Sequence, residues 1–203
     1  MLTRPASGWG PYFADVAAEL GREPVDDAAT RALSTWLDVL AEWNAKIDLT
    51  AAKDATSLAW LMLADAMVLA PHVAKGARVV DVGTGAGAPG LALAILRPDL
   101  RVTLAEPLGK RAAFLRTAIG TLGRTDVTLV PKRGEALDKA AFDVAISRAT
   151  LAPDEWLALG RTLVVPGGEV WVFLAEGDAP PGSKNEIAWT EPPGKKRRLV
   201  RYA

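Results

Sequence analysis

Two hundred and three residues, half of them apolar, allow one domain with a small appendage and a sizeable core. The absence of cysteine excludes disulfides, thiolate metal sites and a thiol nucleophile, and the single histidine, His72, leaves a histidine metal centre or a catalytic triad without its parts. Formal charge is zero but uneven: residues 1–75 carry 6 basic and 10 acidic side chains (−4) and residues 76–203 carry 18 and 14 (+4), which suits a polyanionic ligand and ordinary surface scatter about equally.

In chain order, apolar spacing predicts a helix over Asp15–Leu20 closed by Gly21, then one over Ala28–Trp43 capped by Asp26 or Asp27, with Leu33, Trp36, Leu37, Leu40 and Trp43 on one face. A third helix, Thr56–Ala70, stops at Pro71, with His72 as a solvated residue at its end. These helices make residues 1–75 a helical cap, in which Trp36, Trp43 and Trp60 read as core and not as platforms for stacked bases. No apolar run spans a membrane free of charge, since Leu58 to Val73 is short and holds Asp65; the N-terminus lacks the pattern of a secretion signal.

From Arg78 strands and helices alternate. Strands are expected at Arg78–Val82, Arg101–Glu106, Asp126–Val130, Phe142–Ser147 and Glu169–Leu174, and helices at Pro89–Arg97, Gly109–Leu122 and Pro153–Leu163. A Pro166-Gly167-Gly168 turn precedes the fifth strand, and Glu186–Thr190 and Arg198–Tyr202 are two terminal strands. Alternation of this kind makes residues 76–203 an α/β domain with a mostly parallel, doubly wound sheet and right-handed crossovers. The basic run Lys195–Arg198, with Arg201, could meet RNA phosphates or form a solvated hairpin end.

The strand Val79-Val80-Asp81-Val82 runs into Gly83-Thr84-Gly85-Ala86-Gly87-Ala88-Pro89-Gly90, the cofactor corner of such a domain. The third glycine comes one residue too early for the G-x-G-x-x-G of dinucleotide sites, and Gly90 two residues too late. Asp81, ahead of the glycines, can attract a cationic aminoacyl group and would repel a pyrophosphate. Both features favour S-adenosylmethionine over a nicotinamide dinucleotide. Glu106, at the end of the second strand, stands where a carboxylate accepts two hydrogen bonds from a ribose diol; a solvated strand-end acid is the alternative. Arg133-Gly134-Glu135-Ala136 follows the third strand, beside the expected adenine, with a plain turn as the alternative.

Further segments carry a family pattern: Trp43-Asn44-x-Lys46-x-Asp48-Leu49-Thr50, Asp54, Asp65, Ala70-Pro71, the glycine loop, Gly109-Lys110-Arg111-x-x-Phe114-Leu115-Arg116, Arg133-x-Glu135, Phe142-Asp143 and Ser147-Arg148-Ala149. Over roughly residues 30–175 the chain resembles the RsmG (glucose-inhibited division protein B) family of bacterial small-subunit ribosomal RNA methyltransferases. The Lys-Arg-x-x-Phe-Leu-Arg and Ser-Arg-Ala segments are more specific than the glycine loop.

The resemblance implies a Rossmann-like class I methyltransferase that moves a methyl from S-adenosylmethionine to guanine N7 of 16S RNA or the 30S subunit. It further implies a cytoplasmic monomer without metal or membrane. By it Gly83, Ala88, Gly134, Glu135 and Arg148 line the cofactor, Gly85, Gly87 and Asp81 belong to the same corner, and Glu106 lies near the ribose. Lys110, Arg111, Arg116, Asn44 and Lys46 fall on the RNA side. No catalytic residue is required beyond Arg148 as a positioning candidate, whose fork suits guanine O6 or the cofactor carboxylate, with a surface ion pair as the alternative. The chain departs from the pattern at Leu61-Met62, where Arg-His is usual, at Glu176, where Lys is common, and at Asp48 in place of Asn. Three other readings stay open: a methyltransferase with another RNA or small-molecule substrate, a silent cofactor-binding RNA-associated protein, and, disfavoured by the glycine spacing, a nicotinamide-dependent oxidoreductase.

Overall fold

The structure is a computed structural model and describes residues 2–203. Helix α1 (Gly10–Glu19) begins five residues before the expected start, because Pro11 sits in its first turn, where a missing N–H breaks no bond. Helix α2 (Asp27–Asn44) is capped by Asp26, whose side chain accepts from Ala29 N at 2.8 Å. Helix α3 (Ala55–Leu69) starts at a reciprocal Asp54–Ser57 capping box, and ten of its 15 residues are buried, which makes it a core helix. The α-helix ends at Leu69, just ahead of Pro71 as expected, and a 3₁₀ turn, Ala70–His72, follows. His72 is exposed with its ring 5.8 Å from that of Trp171; burial, then Arg22 and Arg201, lower its pKa.

The sheet comprises β1 (Arg78–Val82), β2 (Arg101–Ala105), β3 (Thr128–Val130), β4 (Phe142–Ser147), β5 (Val164–Leu174), β6 (Asn185–Glu191) and β7 (Lys195–Tyr202). Between them lie α4 (Gly90–Leu96), α5 (Gly109–Thr121) and α6 (Pro153–Leu163). The strand order is β3-β2-β1-β4-β5-β7-β6, with β7 running opposite to the other six strands. The order reverses between β1 and β4, so a crevice opens at their carboxyl ends.

Alternation along the strands sorts the core into two layers. Val79, Leu104, Ile146, Trp171 and Leu199 share one cluster with α1 to α5, whereas Val80, Val82, Ala145, Val172 and Val200 meet Trp156 and Leu157 of α6. The three N-terminal helices thus complete the layer begun by α4 and α5. Trp36 and Trp60 are buried as expected, and half-buried Trp43 packs edge-on against Phe114 at 5.9 Å. The expected Pro166-Gly167-Gly168 turn instead lies within β5: Phe142 pairs with Val164 and Val144 with Glu169, so the extra residues bulge out without ending the strand. The last two strands are longer than expected and form a hairpin that runs past the end of β5, since Leu174 pairs with Arg198 while Trp189–Glu191 and Lys195–Arg197 continue the ladder.

Candidate active site

Gly83, Gly85 and Gly87 follow β1 with φ of +71°, +60° and +101°, backbone that L side chains rarely adopt. At Gly83 the space is also closed: a Cβ there would lie 2.3 Å from Thr150 Oγ1 and 2.6 Å from its Cγ2. The loops after β1 and β4 therefore touch through a missing side chain. Gly87 faces the helices. Its Cβ would meet Trp36 and Leu91 at 3.1 Å, so it admits the helical layer. Trp36 Nε1 also donates to Ala86 O at 3.2 Å, which ties α2 to the loop.

Asp81 is fully buried beneath the loop and is not among the residues that line the cleft. It shares the parity of Val79 toward the helical layer, and its Oδ2 accepts from Gly90 N at 2.8 Å, fixing the first turn of α4. Asp81 Oδ1 and Thr84 Oγ1 are buried without a hydrogen-bond partner. Burial pushes the Asp81 carboxyl up to about 6 from 3.8, against the pull of the Gly90 N–H and Arg148. A carboxyl raised on folding binds an extra proton in the folded state between those two values, so this group's contribution to stability falls as pH rises from about 4 to about 6. The loss amounts to at most about 3 kcal/mol. Asp81→Asn is expected to flatten that slope in urea melts at pH 4.5 and 7, by raising stability at the higher pH; an unchanged slope would place the ionisation elsewhere.

Glu106 follows β2 and is 2% exposed. Its Oε2 accepts from Gly85 N and its Oε1 from Leu108 N, each at 2.9 Å, so the carboxylate braces two loops while keeping lone pairs free. It lines a cleft of about 540 Å³ with Gly83, Gly85, Ala88, Arg111, Arg133 and Arg148. Leu49–Ala51 and Leu61-Met62 close its other side. The size suits a small-molecule cofactor. Gly134 is buried against Val82 and Leu159, Glu135 is exposed, and Arg133 is the residue of that loop that lines the cleft.

Ser147, the last residue of β4, donates to Val82 O at 2.8 Å and joins the two strands at the switch point. Arg148 then crosses to α3, where Nη1 donates to Leu61 O at 2.6 Å and to Asp65 Oδ2 at 2.8 Å. Both side chains of this pair are mostly buried, at 23% and 13% exposure, so removal of one partner would leave a poorly solvated charge, unlike the surface ion pair weighed from the sequence. Ala149 turns the chain with φ +55°.

The expected RNA-side residues divide. Arg111 lines the cleft, whereas Lys110 and Arg116 are exposed on α5. Asn44 has an internal role: its Oδ1 accepts from Leu49 N at 2.9 Å and Thr50 N at 3.1 Å, shaping the loop that walls the cleft. Lys46 is exposed on that loop. Sequence reasoning missed Thr150 and the wall residue Leu108, because loop residues distant along the chain carry no spacing signal, and it gave Arg133, Asp65 and Thr50 no side-chain role of their own. Among the described residues no cluster of His, Asp and Glu is arranged to hold a metal ion, and no helix is long and apolar enough to cross a membrane.

The family model described as rRNA small subunit methyltransferase G matches residues 29–190. Ribosomal RNA small subunit methyltransferase G of Chromohalobacter salexigens is 41% identical over 162 residues, 80% of this chain and 76% of the relative. The Xanthomonas euvesicatoria protein of the same name is 38% identical over 77% of this chain and 76% of its own length. Among solved structures, P. horikoshii TYW2 in complex with MeSAdo matches with a TM-score of 0.55 at 16% identity, over 68% of this chain and 61% of that one. The tRNA (m1A58) methyltransferase TrmI from Aquifex aeolicus matches at 0.53 and 15% identity, over 68% and 66%. At such identities the structures speak for the fold, a class I methyltransferase sheet. The sequence matches speak for more: this chain belongs to the rRNA small subunit methyltransferase G family and is an S-adenosylmethionine-dependent methyltransferase.

Proposed function

We propose that the chain methylates small-subunit ribosomal RNA at N7 of a guanine, with the cofactor in the cleft over Gly83 and Gly85. The names of the relatives support the ribosomal RNA. In this reading Glu106 receives the ribose diol on its free lone pairs, Gly85 and Ala88 line the approach to the aminoacyl end, and Arg133 flanks the adenine. Asp81, Gly87, Gly134 and Asn44 support the site from behind. Bound S-adenosylmethionine supplies an electrophilic methyl on a sulfonium.

The observation that carries the choice of N7 is that the cofactor cleft holds no carboxylate or imidazole without hydrogen-bond partners. Its one carboxylate, Glu106, is engaged by backbone N–H on both oxygens, and His72 lies elsewhere. Methylation of a ring N–H or an exocyclic amine needs a base to take the proton. N7 has an exposed lone pair and no proton, so positioning and exclusion of water suffice. The purine gains a methyl and a positive charge, and nothing need leave it. The test is incubation of 30S subunits and of naked 16S RNA with methyl-labelled cofactor. Label is expected in the RNA, and its absence from both would overturn the reading.

A further inference from the structure

A second cavity, of about 350 Å³, lies at the carboxyl ends of β4 and β5, between α3 and the overhanging β6–β7 hairpin. Leu61, Arg148 and Ala149 line both this cavity and the cofactor cleft, so the two spaces meet at Arg148. On the α3 side its wall is Trp60, Leu61 and Ala64 with Asp65 among them, and half-buried Trp189 and Glu191 stand on the hairpin side. The N–H groups of Arg148 Nη1 are taken by Leu61 O and Asp65, which holds the guanidinium plane still and leaves Nε and Nη2 as donors.

We propose that this cavity takes the base that receives the methyl, with Arg148 as its polar wall and Trp189 as its aromatic wall. The proposal rests on the methyltransferase reading above and names its acceptor subsite. A base inside a helix cannot reach such a recess, so the occupant is an unpaired or extruded purine nucleotide of a single-stranded RNA segment. A flat aromatic base matches an indole face, and every base offers a π-face to it. An arginine that spans O6 and N7 of guanine would block the methylated atom. For the methyl to reach N7, Arg148 donates from its free Nε or Nη2 to O6 and leaves N7 open toward the shared wall.

The hairpin also accounts for the basic run. Arg197 is paired with Glu191 and Arg198 with Glu186, so these two arginines stiffen the hairpin. Lys195 and Lys196 are exposed at its tip, beyond the edge of β5, where a phosphate of the same nucleotide segment would pass. Asp65 is a positioning residue in this scheme, acting through Arg148.

The test uses the full chain and two variants, Trp189→Ala on the hairpin and Ala175→Trp, which fills the cavity from an exposed position in the loop after β5. Three quantities are compared: S-adenosylhomocysteine affinity, kcat/KM on 16S RNA, and affinity for a dye-labelled, guanosine-containing single-stranded RNA with S-adenosylhomocysteine present. Both variants are expected to keep cofactor-product affinity within about twofold and to lose about tenfold or more in RNA affinity and kcat/KM, with Trp189→Phe recovering most of it. Methylation and RNA binding unchanged in both variants would overturn the pocket. If the wild-type protein binds the short RNA and the variants do not, while no ribosomal RNA is methylated, the pocket stands and the proposed function falls. Failure of the wild-type protein to bind or methylate either RNA would overturn both.

Discussion

Gly83→Ala is expected to abolish cofactor binding in a protein that still folds. The added methyl faces two penalties. A residue with φ near +71° costs an L-amino acid roughly 1–2 kcal/mol, and the new Cβ would lie 2.3 Å from Thr150 Oγ1, an overlap of the kind that costs about 1–3 kcal/mol to relieve. The loops after β1 and β4 must part, and both form the cleft floor. Calorimetry should then show S-adenosylhomocysteine affinity reduced by about a hundredfold or more, with the melting temperature lowered. Pairing the change with Thr150→Ala separates the two costs. The double variant should regain the overlap part and not the φ part, a coupling of about 1–3 kcal/mol. Simple additivity would mean that the loops do not meet as described.

Glu106→Ala carries the second large effect. It removes the acceptor of both Gly85 N and Leu108 N and the groups proposed to meet the ribose diol. Hydrogen bonds to a charged group are worth about 1.5–3 kcal/mol each, so loss of two predicts affinity for S-adenosylhomocysteine down by at least about a hundredfold. Glu106→Gln is the informative companion. An amide can accept on one side only, and its NH₂ must face either Gly85 N–H or Leu108 N–H, so Gln is expected to be nearly as damaging as Ala. Affinity within about threefold of wild type would mean that Glu106 only braces the loops and that the diol is held elsewhere.

Much of this architecture was legible in the residues, and the misreadings have identifiable causes. Strands Arg78–Val82 and Phe142–Ser147 and helix Pro153–Leu163 have the predicted bounds, because each is a periodic run closed by turn residues. Pro166-Gly167-Gly168 was misleading because glycine and proline mark a break in local pattern, whereas the pairing of β5 with β4 across it is a long-range fact. Strand alternation puts Asp81 on the face of Val79, toward the helices, and a buried acid one residue before a glycine loop can serve the helix that follows. Asn44 belongs to a family segment, which identified it without revealing that it folds the 45–50 loop. Gly134 signalled close approach correctly, but the approaching groups are Val82 and Leu159. The tie between Arg148 and Asp65 spans 83 positions in the chain, and no local pattern announces it.

The departures from the family pattern acquire a physical setting. Leu61 stands at the junction of the cleft and the second cavity, where its backbone carbonyl, not its side chain, holds Arg148. Met62 walls the cofactor cleft, and Glu176 lines the second cavity beside the hairpin. An apolar wall and an acid suit a flat base that becomes cationic on methylation.

The account stands or falls on where the methyl goes. 16S RNA incubated with the protein and cofactor should be treated with borohydride and aniline, which cleave the chain at N7-methylguanine, and the fragments mapped. One new cleavage at a single guanine is predicted, present with the wild-type protein and absent with Gly83→Ala. Labelled RNA that resists cleavage would contradict N7 as the acceptor and would point instead to an acid of the second cavity, Glu176, as proton acceptor.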